Sequence, residues 1–364
     1  MAKIALISDV HLGTRQYGLK ERYEDFHRSF ERFGKDVARK VDAVVIGGDL
    51  FDSPRPDAKS VLVAKDVIEK IQDEGTTVFG IDGNHDLSDG GWLAVTGAEH
   101  VHNVPFHFRG IKMAGIDYHS GRDLIAAMQE MVDRGVKADI LVAHFALAEM
   151  NGGGSADTGV QELSPLLDKL GVKCVMMGHV HIPDARKWNG VLYVNPGSTE
   201  LKAINEPHDK FYFIVDTDTW EAEAVPLKTR NVQTVEIDDE TGFESFRRMV
   251  TDEAKFMSGG MIKAEDRTFF QVIADDSIED VYKRLATVVH DTGAIARIVV
   301  RSNKARDLAP AVDRREENSN MLENAIESRF PKDSDEARLI LSMLRSPDPS
   351  SIHLICEKYM KGEK

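Results

Sequence analysis

Short apolar runs recur along the first half of the chain, and each ends in glycine, an acid or histidine. Ile4-Ala5-Leu6-Ile7, Ala43-Val44-Val45-Ile46, Thr76-Thr77-Val78-Phe79-Gly80-Ile81, Ile140-Leu141-Val142-Ala143 and Cys174-Val175-Met176-Met177 have the length and unbroken apolar character of strands covered on both faces. Tyr23, Phe26, Phe30, Phe33 and Val37 recur at steps of three and four, which marks one face of an amphipathic helix and assigns the three phenylalanines to the core. Residues 58–72 read as a second helix. A third begins near Ser164-Pro165, with Ser164 as N-cap and Pro165 in the first turn. Residues 191–194 and 210–216 read as further strands separated by the turn Asn195-Pro196-Gly197-Ser198. The alternation predicts an α/β layered architecture.

Near residue 230 the pattern changes. Strand 232–237, helix 243–256, strand 268–273, helix 277–290 and strand 294–301 suggest a small second α/β unit. The stretch 302–316 is charged, carries Pro310 and reads as a linker. Three helical stretches follow, at roughly 317–330, 334–345 and 350–361. Leu339, Ile340, Met343 and Leu344 form one apolar face and Leu354, Ile355 and Tyr359 another; helices this short need a surface, either the chain's own body or a partner. We expect three regions, 1–228, 229–303 and 304–364.

A hydrophobic fraction of 42% in 364 residues is enough for a real core. No apolar run reaches the length of a membrane span, and the N-terminus lacks the apolar stretch of a signal peptide. Only Cys174 and Cys356 are present, so a reducing, cytoplasmic setting is expected, with both thiols as packing residues (the host cytoplasm if the source is viral). The net charge is −15, and residues 1–225 hold 24 basic against 35 acidic side chains. Such a balance counts against a nucleic-acid partner unless bound cations offset it locally.

The polar clusters that close the strands carry the chemistry. They read Asp9-Val10-His11, Gly48-Asp49, Gly83-Asn84-His85-Asp86 and Gly178-His179-Val180-His181, with His144 ending a further apolar run. Loops at the carboxyl edge of a sheet converge, so donors far apart in sequence can meet. Mixed carboxylate, amide and imidazole donors without thiolate suit Mn²⁺, Fe²⁺, Co²⁺ or Zn²⁺. Two such ions can clamp a phosphate and activate water. Each cluster alone is weak evidence; the ordered set is strong. His100, His102, His107 and His119 form a looser group that we read as surface or packing residues rather than a third metal site.

These motifs resemble the calcineurin-like metallophosphoesterases, whose pattern is D-x-H, G-D, G-N-H-[DE], H and G-H-x-H. The resemblance implies a layered β-sandwich core flanked by helices, with a small α/β cap domain and a helical C-terminal tail. It implies one ion held by Asp9, His11, Asp49 and His181, and another by Asp49, Asn84, His144 and His179. His85 would be catalytic, facing the phosphate and assisting the leaving group. Asp52 matches the acid that partners this histidine in protein phosphatases; a helix N-cap or solvated acid is the alternative.

Within that family the chain is similar to the SbcD-type nucleases of recombination and break repair. The stretch from Ser8 through Gly18 into Glu21-Arg22-Tyr23-Glu24-Asp25-Phe26 carries this likeness, with Gly48-Asp49-Leu50-Phe51-Asp52 and Lys228-Thr229-Arg230-Asn231. It implies Mn²⁺-dependent exonuclease and endonuclease action on DNA ends, single strands and hairpins, a homodimer, and a C-terminal segment docked on an SbcC-type coiled-coil ATPase. Arg15, Gln16, Tyr17 and Arg55 are candidate DNA contacts or plain loop residues. The turn Val194-Asn195-Pro196-Gly197-Ser198 instead resembles small phosphodiesterases of the YfcE type. A small-molecule or cyclic-nucleotide phosphodiesterase with an added cap is therefore the alternative reading, and a scaffold that keeps the fold for binding is a third.

Overall fold

The computed structural model describes residues 2–87, 91–203 and 206–301. In chain order the first half runs β1 (Lys3–Ile7), α1 (Lys20–Val37), β2 (Ala43–Ile46), α2 (Ala58–Asp73), β3 (Thr77–Gly80), α3 (Trp92–Val95), β4 (Glu99–His100), β5 (Phe106–Phe108), β6 (Ile111–Ile116), α4 (Gly121–Asp133) and β7 (Ile140–His144). It continues with α5 (Val160–Leu170), β8 (Cys174–Gly178), β9 (Asp184–Trp188), β10 (Val191–Asn195), β11 (Lys210–Asp216) and β12 (Glu221–Leu227). The last elements are β13 (Val232–Ile237), α6 (Glu240–Ser258), β14 (Phe269–Asp275), α7 (Val281–Thr292) and β15 (Ile295–Arg301).

Two six-stranded sheets, ordered β12-β11-β1-β2-β3-β4 and β5-β6-β7-β8-β10-β9, form the body. β1, β2, β3 and β4 pair in parallel, as do β6, β7, β8 and β10. Antiparallel strands β11 and β12 extend one sheet, while β5 and β9 edge the other.

The two-fold alternation of side chains explains why the inner strands are apolar throughout. Ile4, Leu6, Ala43 and Val45 pack with Ile140, Val142, Cys174 and Met176 between the sheets. Their neighbours Ala5, Ile7, Val44 and Ile46 face outward onto Phe30, Phe33, Val67 and Ile68 of α1 and α2. The second sheet repeats this, with Leu141, Ala143, Val175 and Met177 against Leu124, Met128, Leu163 and Leu167 of α4 and α5. The result is helix, sheet, sheet, helix. Phe26, Phe30 and Phe33 are fully buried, as the helical periodicity predicts, each contributing about 1.5–3 kcal/mol of transfer free energy by area.

The expected elements differ from the structure at α5 and at several shorter or edge elements. α5 starts at Val160, before Ser164-Pro165, so Pro165 lies inside the helix. Its first backbone N–H, at Val160, donates to the Glu149 carboxylate at 3.1 Å, and Ser164 Oγ donates back to the Val160 carbonyl at 2.8 Å instead of capping. α3, α4 and strands β4 to β6, β9 and β12 have no counterpart among the expected elements. The helices expected beyond residue 316 lie outside the described residues.

Strands β13, β14 and β15 form a separate three-stranded sheet, and β13 and β14 run parallel. α6 and α7 cover it through Phe243, Phe246, Val250, Val281 and Leu285. A buried charge network ties this sheet's first strand to α1. Arg22, fully buried, donates to Asp25 (2.8 Å), Glu200 (3.3 Å) and the Leu201 carbonyl (2.8 Å). Arg230, just before β13, donates to both oxygens of Asp25 at 2.6 and 2.8 Å. Every charge in the set has a partner, which a buried ion network requires.

Candidate metal centre

The segments that leave β1, β2, β3 and β8 meet at one edge of the paired sheets, beside the end of β7. They interlock through the backbone: Asp9 N–H donates to Gly48 O (3.1 Å), His11 N–H to Asp49 O (3.0 Å) and Asp52 N–H to Leu12 O (3.0 Å). Asp86, buried, accepts from the backbone of Leu50 (2.9 Å), Phe51 (2.7 Å) and Gly83 (3.2 Å), which clamps the Gly83–Asp86 turn to the Asp49 loop. Gly83 is required here, because a Cβ would lie 2.1 Å from Asp49 Oδ1. Asp9, His11, Asp49 and His179 all hold left-handed φ angles, of 52°, 50°, 52° and 89°. Such angles cost about 1–3 kcal/mol each in a non-glycine residue and gather where function fixes a side chain.

The side chains bring their donor atoms together. His11 Nε2 is 3.1 Å from His181 Nε2, 3.6 Å from Asp49 Oδ2 and 4.0 Å from Asp9 Oδ1. His181 Nε2 is 3.7 Å from Asp9 Oδ1, and His144 Nε2 is 3.5 Å from Asp49 Oδ2. Asn84 Oδ1 lies 2.9 Å from His179 Nδ1, and the His144 and His179 rings meet edge to face at 5.1 Å. Bonds of about 2.0–2.2 Å to one ion place neighbouring donors roughly 3.0–3.6 Å apart. Asp9, His11 and His181 form one group of converging donors, and Asp9, Asp49 and His144 another.

The hydrogen bonds set the ring orientations. His144 Nδ1–H donates to the Gly47 carbonyl at 2.8 Å, which leaves Nε2 buried and without a hydrogen-bond partner. An orphaned buried nitrogen is costly, and a cation would satisfy it. His181 Nδ1–H donates to Glu206 Oε1 at 2.7 Å, which aims its Nε2 at Asp9 and His11. Burial keeps His11 below the ordinary imidazole range, and burial with the neighbouring His144 does the same to His179, so both retain lone pairs for an ion. Burial would also lower His144, but the Asp49 carboxylate outweighs it and carries His144 up to about 9. The same contact holds Asp49 well below the usual carboxylate range despite its burial. Asp49 thus favours a positive charge at the His144 position. The residues fit a dinuclear metal centre.

His85 stands beside this group, its ring 4.8 Å from that of His11. Its Nδ1–H donates to the carbonyl of Asp52 at 2.9 Å, while the Asp52 carboxylate is 3.9 Å away. That carboxylate instead lies 2.9 Å from Lys202 Nζ and 3.4 Å from His11 Nδ1. His11 and Lys202 hold Asp52 down, to about 2, against the effect of its burial. Among the candidate DNA contacts, Arg15, Tyr17 and Arg55 are exposed and Gln16 is half-buried. Gln16 bonds Arg22 (2.8 Å) and the Lys202 carbonyl (2.6 Å). Tyr17 stacks on Phe269 at 5.8 Å beneath Arg297.

Three supporting residues escape the motif reading. Glu206 bonds His181, and it also accepts from Lys210 Nζ (2.7 Å), Ser198 Oγ (3.0 Å) and Lys202 N–H (3.2 Å). Lys210 is buried at the start of an otherwise apolar strand, which is the one signal the sequence offered. Lys202 Nζ reaches His11 Nδ1 at 3.0 Å, but it sits in a loop with no pattern to mark it.

Residues 2–183 match the family model for the calcineurin-like phosphoesterase domain. The chain belongs to the calcineurin-like phosphoesterases. Among curated members, the DNA double-strand break repair protein Mre11 of Haloferax volcanii is 29% identical over 272 residues, which is 69% of this chain and 58% of that protein. That of Aeropyrum pernix is 27% identical over 341 residues, 84% of this chain and 78% of that protein. The uncharacterized metallophosphoesterase YhaO of Bacillus subtilis is 28% identical over 229 residues, 57% of this chain and 55% of that protein. Its candidate ligand clusters match the dinuclear metal site that this family uses. Among the described residues no helix is long and apolar enough to cross a membrane.

Proposed function

We propose that this protein is a Mn²⁺-dependent DNA exonuclease and endonuclease that processes ends in break repair or recombination. The observation that carries the hydrolytic part is the meeting of imidazole and carboxylate donors around the orphaned His144 Nε2. The DNA part rests on the likeness to Mre11 proteins across most of the chain. In this reading Asp9, His11, Asp49 and His181 hold one ion, and Asp49, Asn84, His144 and His179 the other. Bound ions would polarise the phosphoryl oxygens and lower the pKa of water.

The chain's own residues do the rest. Glu206 and the Gly47 carbonyl fix two imidazoles with Nε2 turned inward. His85 is anchored at Nδ1 by the Asp52 carbonyl and is partly open to solvent, so Nε2 is the atom that passes a proton to the departing 3′ oxygen. Asp52 and Lys202 form an ion pair at the rim, and an incoming phosphate would draw Lys202 from it. In the same proposal residues 1–228 are the nuclease domain, 229–303 a DNA-facing cap, and 304–364, which lie outside the described residues, the segment that docks an SbcC-type ATPase. Homodimerisation and a cytoplasmic site of action belong to it too.

The test is cleavage of single-stranded DNA, hairpins and blunt duplex ends with Mn²⁺, beside bis-p-nitrophenyl phosphate. Cleavage of the DNA substrates is expected. Activity confined to the small ester would replace this reading with a small-molecule phosphodiesterase.

A further inference from the structure

A second group of donors lies outside the dinuclear centre. Asp82 follows β3, His100 ends β4 and Asp117 follows β6. One donor atom from each lies within 4.8 Å of the others. Three elements distant in sequence meet because the residues after β3 and β6 are joined through the backbone, with Tyr118 N–H donating to Asp82 O at 2.8 Å.

The local contacts leave one group without a partner. Asp117 Oδ1 accepts the Asp82 backbone N–H (2.9 Å) and lies 2.8 Å from His100 Nε2. His102 is already engaged: its Nδ1 accepts the Asp117 backbone N–H at 2.9 Å and its Nε2 meets the Asn103 amide at 2.8 Å. It serves as a wall, with His100 stacked on one side at 6.2 Å and His119 on the other at 6.0 Å. Asp82 is only 6% exposed, and among the described residues its carboxylate accepts no hydrogen bond. A buried carboxylate facing a second carboxylate with no donor is a costly arrangement.

We propose that Asp82, His100 and Asp117 form a third metal site that binds a divalent transition cation of borderline hardness. Two carboxylates carry a charge of about −2, which such an ion cancels, and the ion would take the place of the proton through which His100 Nε2 meets Asp117 Oδ1. Three protein donors leave at least one coordination position for water, and the partly exposed His100 ring opens that side to solvent. The site is joined to the dinuclear centre at two points. Asp82 lies two residues before Asn84, and the ring of Tyr118, next to Asp117, packs on His179 at 5.5 Å and His144 at 6.1 Å. A cation here holds the Asn84 turn and the Tyr118 ring in fixed relation.

The experiment counts zinc per chain after equilibrium dialysis of the full-length protein and of Asp82→Asn, His100→Ala and Asp117→Asn. Each variant is expected to bind one equivalent less than wild type. Equal counts in wild type and all three variants overturn the site. The difference is the readout, so the result stands whether or not the dinuclear centre fills. Should a variant lose its fold by circular dichroism, zinc-edge anomalous diffraction from wild-type crystals decides instead. A peak bounded by Asp82, His100 and Asp117 supports the proposal, and no peak there at saturating zinc overturns it.

Discussion

Glu206 touches no candidate ligand atom that faces an ion, yet its removal is expected to weaken metal binding in a defined way. Its Oε1 accepts the Nδ1–H hydrogen bond of His181 at 2.7 Å, which fixes that ring's tautomer and orientation. In Glu206→Gln the side-chain length is kept, but the acceptor is neutral and an amide group faces Lys210, which is 2.7 Å from the other carboxylate oxygen. The His181 hydrogen bond and the charge of Lys210 hold Glu206 down, to about 2, despite its burial, and the variant removes the carboxylate they act on. Removing a carboxylate that supports a metal-bound histidine costs about 10–100-fold in affinity, or about 1.4–2.7 kcal/mol. The loss should fall on the ion assigned to Asp9, His11 and His181, and the ion assigned to His144 and His179 should keep its affinity within a few-fold. Calorimetric titration with Mn²⁺, fitted to two sites, separates them. Because Lys210 is left buried without its anion, a lower Tm of the metal-free variant is expected as well. Two unchanged affinities in a folded Glu206→Gln protein would refute the orienting role.

Three further outcomes follow from the same geometry. His85→Gln should abolish phosphodiester cleavage while both ions remain bound by elemental analysis; retained cleavage would remove His85 from the reaction. Mn²⁺ affinity at the second ion should fall as pH is lowered below about 9, because the ion must displace the proton that Asp49 raises onto His144. One displaced proton means about tenfold per pH unit, with a plateau above that value, and a flat profile between pH 6.5 and 8.5 would contradict it. Gly83→Ala drives a methyl group into Asp49 Oδ1, so the shared ligand must move. Loss of metal with little change in far-UV circular dichroism is expected, and full metal content would falsify the packing argument.

The candidate ligands were legible in the sequence because each follows or ends a strand buried on both faces. Such strands announce themselves as unbroken apolar runs, and the polar residue that ends one stands out. Elements at the edges were less visible. β9, Asp184-Ala185-Arg186-Lys187-Trp188, is half exposed and mixes charged with apolar residues, so no run marks it. α4 begins at Gly121 without a side-chain cap, and α5 has a proline where its core-facing residues are already helical. The supporting shell was nearly invisible for a different reason. Glu206 and Lys202 act through hydrogen bonds and charge on residues far away in sequence, and only the fold brings them to the histidines they touch.

The central claim is that seven side chains from five segments grip two ions. Anomalous diffraction at the manganese edge, from crystals of the full chain grown with Mn²⁺, measures this directly. The account predicts two peaks sharing Asp49, one against Asp9, His11 and His181 and the other against Asn84, His144 and His179. A single peak, or peaks that leave His144 Nε2 without a bonded ion, would contradict it.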